Sequence, residues 1–341
     1  MSDPHLALYR KYRPQKFDDV VGQVNAIELL TSAIKQKKIS HAYLFSGGRG
    51  TGKTTVARIV AREIGCDPMD IIEIDAASNR GIDEIRELRE AVRTAPFVSP
   101  YKVYIVDEAH MLTKEAANAL LKTLEEPPSH VVFILATTDP EKLPQTITSR
   151  CQKIVFKQPE INVLTETLIK IAEKEGYLLP KETGELIAKE GKGSYRDALG
   201  ILEQVLTTGD KKINHESVME KLGTPEEESF IELLRAVCEK NAKGILKITD
   251  DLKKRNIDAI KAYDVFLELV REALILRVNQ ANNNEDDKSR VADLSEIAKS
   301  YPQIISSRLI LELLEKRNLL EVSQAHSWVA FTAILLSFGE Y

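Results

Sequence analysis

The stretch GGRGTGKTT at residues 47–55 decides how this chain is read. Its spacing, G-x-x-x-x-G-K-T, is that of a phosphate-binding loop: glycines expose successive backbone N–H groups, and the helix that follows points its positive end at the same anion. Gly47, Gly48, Arg49, Gly50, Thr51 and Gly52, with Lys53, Thr54 and Thr55, form the candidate cradle. Ordinary residue frequencies would bring its four fixed positions into register in roughly one chain in a hundred of this size. The flanks supply the context the loop needs. AYLFSG at 42–47 reads as a buried strand, and TTVARIVAREIG at 54–65 as a helix with Val56, Ile59, Val60 and Ile64 on its apolar side.

About fifty residues on, VYIVDEAH at 103–110 ends an apolar strand in two carboxylates. Adjacent acids at the tip of a buried strand are costly unless a cation or a water needs them there. Asp107, with the Thr54 hydroxyl, suits Mg²⁺, and Glu108 suits the water that attacks a phosphoanhydride. The pair of stretches describes an ATP site, and the glutamate points to hydrolysis rather than nucleotide binding alone.

Strand-like runs alternate with helical ones up to about residue 156: AYLFSG, IIEID at 71–75, VYIVD at 103–107, VVFILAT at 131–137 and KIVF at 153–156. Such alternation implies a parallel sheet covered by helices on both faces. KEAANALLKTLEEPP reads as a helix with Ala117, Leu120, Leu121 and Leu124 on one side, stopped by Pro127 and Pro128. Beyond residue 160 only helical periodicity is found, through Leu164, Leu168 and Ile171, Leu186 and Ile187, then Leu199, Leu202 and Val205. After Gly223 a third block continues through Phe230, Leu233, Leu234 and Val237, through Phe266, Leu269, Val270 and Leu274, and through Leu309, Ile310, Leu313 and Leu314. The polar insert NQANNNEDDKSR at 279–290 reads as a loop. The expected organisation is an α/β nucleotide-binding domain at 1–158, a small helical lid at 159–223 and an all-helical domain at 224–341.

Composition fits without selecting a function. The 341 residues carry a formal net charge of −5, so any nucleic-acid contact must come from a local basic patch. Cys66, Cys151 and Cys238 are far apart and in no metal-ligand spacing, which fits reduced thiols and no zinc site. With no apolar core of signal-peptide length at MSDPHLALYRKYRP and no run long enough to span a bilayer, the expected location is the cytoplasm, with no membrane partner.

Several ordered motifs carry a resemblance: YRKYRP and DDVVGQ near the start, GGRGTGKTT, EIDAASNRGID, VYIVDEAHML, ALLKTLEEPP, ATTDP, TSRC and GSYRDAL. The chain resembles the AAA+ ATPases, and within them the gamma/tau branch of bacterial DNA polymerase III clamp-loader subunits. The resemblance covers nearly the whole length. It implies an adenine pocket from Tyr9, Arg10, Pro14, Val20 and Val21, and a catalytic set of Lys53, Glu108, Thr138, Arg150 and Arg196. Thr138, with Thr137 beside it, would report on the γ-phosphate. Arg196 would reach the phosphates within the same subunit, and Arg150 would act in trans on nucleotide held by a neighbour.

The same resemblance implies ATP and Mg²⁺ as cofactors. It implies assembly with copies of this chain and other clamp-loader subunits through the third, collar-like domain. The assembly would open the sliding clamp and load it on primer–template DNA, touching phosphates without regard to sequence. A possible DNA-tracking helix carries Arg86, Arg89 and Arg93 beside Asn79 and Arg80, although Glu84, Glu87 and Glu90 interleave to give an ion-paired solvated helix as the plain alternative. One departure from the family stands out: Cys66 runs directly into DPMDIIEID where many relatives carry a four-cysteine zinc module. The sequence also does not include the long extension of tau forms, as neither a gamma-like form nor a trimmed piece would. A branch-migration type of AAA+ motor would share the ATP motifs but end in a winged DNA-binding domain, and a non-catalytic loader scaffold would not need intact Lys53, Thr54, Asp107 and Glu108.

Overall fold

The computed structural model describes residues 6–78, 90–207, 211, 213–223, 227–278, 288–322 and 326–338. The chain divides into two compact units, Met1–Asn214 and His215–Tyr341.

In the first unit five strands, β1 (Ala42–Gly47), β2 (Ile71–Asp75), β3 (Lys102–Asp107), β4 (Val131–Thr137) and β5 (Gln152–Phe156), form a sheet in the order β2-β3-β4-β1-β5. Every pairing is parallel, so the carboxyl ends of all five strands share one edge. That edge is where open parallel sheets bind ligands. β4 is buried at every position, which is why it reads as an apolar run up to its last residue, Thr137. β2 and β5 lie at the sheet margins and are largely exposed or half-buried on their polar positions.

Successive strand residues point to opposite faces. On one face Tyr43, Phe45, Val103, Ile105, Val132, Ile134 and Ala136 pack with α2 (Val24–Lys35) through Ala26 and Leu30 and with α3 (Lys53–Glu63) through Val56, Ala57, Val60 and Ala61. On the other, Leu44, Tyr104, Val106, Phe133 and Leu135 pack with α4 (Lys114–Glu125) through Ala116, Ala117, Leu120 and Leu124. Of the four residues expected on the inner side of α4, Leu121 is only half-buried, and Ala116 takes its place in the core. A short helix α5 (Gln145–Thr148) precedes β5 and adds Ile147 to this second face.

Ahead of the sheet, α1 (Leu8–Lys11) lies in the N-terminal segment. After β5 come three helices, α6 (Ile161–Lys174), α7 (Lys181–Glu190) and α8 (Tyr195–Leu206), whose apolar sides meet one another. α1 packs on α8, and the Tyr12 hydroxyl and Lys11 ammonium both reach Glu175 just past α6. The N-terminal segment, which by charge alone would read as a loose terminus, is thereby tied to the helical subdomain.

The connection from α3 to β2 is short. Cys66 is buried and its thiol donates to the Tyr101 carbonyl at 3.2 Å, and a single turn, Pro68–Asp70, leads into the strand. The Asp70 carboxylate is inaccessible to solvent and accepts the backbone N–H groups of Phe97, Val98 and Ser99 at 2.7, 3.1 and 3.0 Å.

The second unit is helical throughout its described residues: α9 (His215–Leu222), α10 (Glu227–Cys238), α11 (Ala242–Lys254), α12 (Ala259–Val278), α13 (Lys288–Ser300), α14 (Ser307–Lys316), α15 (Asn318–Val322) and α16 (Ser327–Ser337). Its core gathers Phe230, Leu233, Leu234, Val237, Phe266, Leu269, Val270, Leu309 and Leu313, and Tyr263 donates its hydroxyl to the Leu313 carbonyl at 2.5 Å. Leu274 and Ile310 are half-buried, while Leu314 is 49% exposed, so the apolar side of α14 is wider than the surface it buries here. The expected loop at 279–290 is shorter than that range, because 288–290 already belong to α13; the rest of it lies outside the described residues.

The Asp70 hub makes a prediction about pH. Burial raises the carboxyl pKa, but the N–H groups of Phe97 and Val98 and both donors of Ser99 outweigh it and bring it from 3.8 down to about 2. A depressed pKa contributes stability above the unfolded value that is lost as pH falls toward the folded one. Asp70→Asn should therefore lower the thermal midpoint at pH 7, and its gap from the wild type should narrow as pH drops below about 4. Thermal unfolding as a function of pH checks this, and a gap constant across that range would remove the role given to the charge.

Candidate functional site

Parallel pairing brings the chain segments that leave β1, β3 and β4 to one edge of the sheet, with Ser46 opposite Thr137 and Val106 opposite Leu135. There a cavity of about 660 Å³ opens. It is walled by the 49–55 loop and start of α3, by Asp107 and Glu108, by the N-terminal segment from Tyr9 to Val21, and by α6 and α8.

Gly52 caps α3 at φ +99, and no atom lies within 4 Å of where its Cβ would be, so the first turn of the helix faces open space. Lys53 follows, only 6% exposed. Its ammonium donates to the carbonyls of Gly47 and Gly48, both at 2.8 Å, leaving one of its three N–H groups without a partner among the described residues. Burial lowers its pKa, and the carboxylates of Glu108 and Asp107 oppose that shift. A buried cation, backbone N–H groups at a helix start and an open cavity beside them fit a phosphate chain.

Thr54 donates its hydroxyl to Asp107 Oδ2 at 2.8 Å, and the other oxygen of Asp107 accepts the Glu108 N–H at 3.0 Å. The hydroxyl and carboxylate thus already meet at the position suited to a divalent cation. Glu108 sits in the left-handed region, φ +48, which is uncommon outside glycine and turns the chain abruptly after the strand. Thr138 shares its hydroxyl proton between Glu108 Oε2 at 3.4 Å and Asp139 Oδ2 at 3.2 Å. His110 lies 3.0 Å from the Thr137 hydroxyl, with its ring nitrogens 3.4 Å from Glu108 and 3.5 Å from Asp139. The pull of Thr138 lowers the Asp139 pKa against burial, helped by Lys142 and His110.

The helical subdomain closes the cavity from the other side. Gly50 adopts φ +68, and a Cβ there would lie 1.9 Å from the Ser194 hydroxyl oxygen. Ser194 caps α8 by accepting the Asp197 N–H, and the next residue, Tyr195, gives its N–H to the Gly50 carbonyl at 3.1 Å and its hydroxyl to the Val21 carbonyl at 3.2 Å. Arg196 lies with its guanidinium 5.2 Å from the Tyr9 ring centre, and Arg10 lies 5.8 Å from the same ring.

Of the residues singled out in the sequence, Tyr9, Arg10, Pro14, Val20, Val21, Arg49, Gly50, Thr51, Gly52, Lys53, Thr54, Thr55, Asp107, Glu108 and Arg196 line this one cavity. Gly47 and Gly48 contribute the carbonyls that hold Lys53, and Thr138 adjoins Glu108. Arg150 is not among the lining residues; it bonds to Glu125 and to the Thr146 carbonyl, each at 2.7 Å, and its side chain remains about a third exposed. Of the possible DNA-tracking positions, Asn79, Arg80, Arg86 and Arg89 lie outside the described residues, whereas Arg93 is exposed.

Sequence reasoning passed over Gln23, which is buried and joins the Thr51 carbonyl to both the carbonyl and N–H of Lys157, fastening the phosphate loop to the exit of β5. It also gave no role to His110, Asp139 or Tyr195. Only the closeness of His110 to the two acids in VYIVDEAH hinted at a part in the site.

A sequence profile of the family described as DNA polymerase III, delta subunit, matches residues 22–80 and 69–160. The chain is 38% identical to DNA polymerase III subunit tau of Bacillus subtilis (strain 168), over 92% of this chain and 59% of that protein. It is 35% identical to DNA polymerase III subunit gamma of Buchnera aphidicola subsp. Schizaphis graminum, over 84% of this chain and 86% of that protein. The chain belongs to the gamma/tau subunits of DNA polymerase III. Relative to the tau proteins of this family it spans about half their length, 59% for Bacillus subtilis and 50% for Escherichia coli (strain K12). The gamma/tau chain also shares its fold with the Thermotoga maritima RuvB Holliday junction branch migration motor, with a TM-score of 0.53 and 23% identity over 67% of this chain and 80% of that one. That likeness is one of fold: an α/β AAA+ domain followed by helices.

The Gly50 contact makes a stability prediction. Gly50→Ala must move either the loop or the start of α8, and should destabilise the first unit by about 1–3 kcal/mol. Denaturant unfolding measures it, and a neutral substitution would show that α8 is not seated on the loop.

Proposed function

We propose that this chain binds ATP with Mg²⁺ in the cavity at the sheet edge and hydrolyses it as one subunit of a clamp-loading assembly in the cytoplasm. The observation that carries the reading is the convergence of buried Lys53, the Thr54–Asp107 pair and Glu108 on one open cavity. Membership of the gamma/tau family supplies the setting.

The phosphates lie along the N–H groups of the 47–55 loop, and the Lys53 ammonium leaves the Gly47 and Gly48 carbonyls to meet them. Thr54 and Asp107 hold Mg²⁺, which when bound neutralises charge on the phosphate oxygens. Glu108 orients and deprotonates the attacking water, and Thr138, already bonded to its carboxylate, senses the γ-phosphate. Tyr9, Arg10, Pro14, Val20 and Val21 surround the base. Arg196, the second residue of the helix that touches both the loop and Val21, couples the nucleotide to the angle of the helical lid.

Three domains do the work: 1–158 for nucleotide, 159–223 as lid and 224–341 as the collar through which copies of the chain and other loader subunits assemble. ATP binding lets the assembly open the sliding clamp, and primer–template DNA, touched through its phosphates, triggers hydrolysis and release. Arg150 acts across the subunit boundary: it is absent from its own cavity and its guanidinium is partly exposed. Exchanging its bond to Glu125 for a neighbour's γ-phosphate would make hydrolysis depend on assembly.

Lys53→Ala should weaken ATP binding or lower turnover by at least about a hundredfold. Equilibrium binding and steady-state ATPase rates measure this, and normal values for both would remove the ATP site. Arg150→Ala should leave nucleotide affinity within about twofold yet slow hydrolysis in the assembled complex by about 10²–10³. Clamp- and DNA-stimulated ATPase rates of the complex are the readout; an unchanged rate rules out the trans role, and rates indifferent to both ligands point to another kind of motor.

A further inference from the structure

The carboxylate of Glu108 is held by one of its two oxygens. Oε2 lies 3.4 Å from the Thr138 hydroxyl and 3.4 Å from Nδ1 of His110, so groups from the ends of β4 and β3 meet at a single atom. Oε1 makes no hydrogen bond among the described residues, and Glu108 lines the cavity with about a third of its side chain exposed. One oxygen is anchored and the other is free to face a ligand.

Thr138 cannot supply the anchor by itself. Its hydroxyl has one proton, and Asp139 Oδ2, at 3.2 Å, is nearer to it than Glu108 is. When that proton turns to Asp139, the glutamate keeps only His110. The histidine is fixed for such a task. Its side chain is almost buried, its Nδ1 lies 3.0 Å from the Thr137 hydroxyl, and its Nε2 lies 3.5 Å from Asp139 Oδ2. Thr137 is itself held, because its hydroxyl oxygen accepts the Asp139 N–H at 3.1 Å. Local backbone brings the ring to the acid: Glu108 at φ +48 turns the chain after β3, and the single turn Ala109–Met111 folds residue 110 back beside it. An apolar ring would brace the two strand ends without the cost of burying polar nitrogens, so packing alone gives no reason for histidine here.

We propose that His110 is a positioning residue for hydrolysis, whose Nδ1–H holds Oε2 of Glu108 so that Oε1 receives the proton of the attacking water. This rests on the ATP reading and deepens it. In the step, the water oxygen bonds to the γ-phosphorus, the bond from that phosphorus to the β–γ bridging oxygen breaks with its electron pair leaving on ADP, and the proton passes to Oε1. His110 touches neither water nor nucleotide. It fixes the direction of a carboxylate carried on three rotatable bonds, and a misdirected base loses rate without losing substrate. An imidazole donates from Nδ1, from Nε2 or, when protonated, from both, and only the first and third states present an N–H to Glu108.

A histidine that merely braced β3 against β4 would reveal itself in stability, or in binding and turnover together. Positioning separates turnover from binding.

The test compares the wild type with His110→Leu and His110→Asn, using steady-state ATPase rates of the assembled complex with clamp and DNA, and ADP affinity of the full chain. Asparagine can present an amide N–H where the ring has Nδ1; leucine cannot. For His110→Leu, kcat should fall by about 10–100-fold while KM and ADP affinity stay within about twofold, and His110→Asn should recover part of the rate. Nitrogen-15 spectra of the wild type with labelled histidine, the His110 signal being the one lost in the asparagine variant, should show Nδ1 bearing a proton. An unchanged kcat in His110→Leu overturns the proposal. So does a fall in kcat matched by a fall in ADP affinity, a rate that asparagine does not recover, or a ring protonated at Nε2 alone. If the wild-type complex hydrolyses ATP and only the His110 effect is missing, the ATPase reading stands and the positioning role falls; if the wild-type complex hydrolyses no ATP, both fall.

Discussion

A lysine ammonium held out of water, with two carbonyls of its own loop as partners, is the interaction on which the rest of this molecule turns. Burying a cation costs several kcal/mol unless charge and hydrogen bonds compensate. Here the compensation is partial. Asp107 and Glu108 lie near enough to favour the charged form, but burial dominates, so Lys53 is primed for a stronger anion than its surroundings contain. The sheet and its two packed faces serve that placement. The parallel sheet carries the loop and the two acids to one edge, and the two apolar layers keep the strands in register.

Closure of the cavity depends on segments far apart in the chain meeting at small, well-bonded points. Tyr195 touches the 47–55 loop with its N–H and the Val21 carbonyl with its hydroxyl, so one residue at the start of α8 bridges two walls of the cavity. Gln23 fastens the loop to the end of β5 from the opposite side. Glu175 holds the N-terminal segment through Lys11 and Tyr12, and burial, with that hydrogen bond and the nearby negative charge of Glu175, raises the Tyr12 hydroxyl pKa to about 12. The 47–55 loop, the helical subdomain and the N-terminal segment are therefore bonded to one another. A ligand that shifts one of them has a bonded route to the other two.

Positive charge is distributed along this cavity rather than gathered at Lys53. Arginines from the N-terminal segment, from α3 and from α8 converge on its walls, although the chain as a whole is acidic. Net charge thus misrepresents the surface a ligand meets. What matters is which like charges the fold has brought together and which counter-charge, here Glu73, it has already committed elsewhere.

The strands, the phosphate loop and the paired acids were legible in the sequence because each is a local pattern with a local cause. A strand segment buried on both faces has to be largely apolar, as Ala42–Phe45 of β1 and Val131–Ala136 of β4 are, and a loop that wraps phosphate has to be glycine-rich whatever surrounds it. Helix α4 ends where proline forbids continuation. Helix faces were less legible: Leu121 and Leu314 share the periodicity of their buried neighbours, and only the width of the opposing surface decides which positions it covers. Contacts across the sheet edge, such as His110 with Asp139, Gln23 with Lys157 and Arg13 beside Arg58, leave no mark in sequence spacing. They exist only once the strands have fixed the distances between residues as far apart in the chain as Gln23 and Lys157, 134 positions. The amino-acid order by itself determined which backbone could form and where the glycine-rich loop and the paired acids would stand; tertiary packing alone decided which charges would be left without partners, because desolvation and pairing depend on neighbours that the chain acquires only by folding.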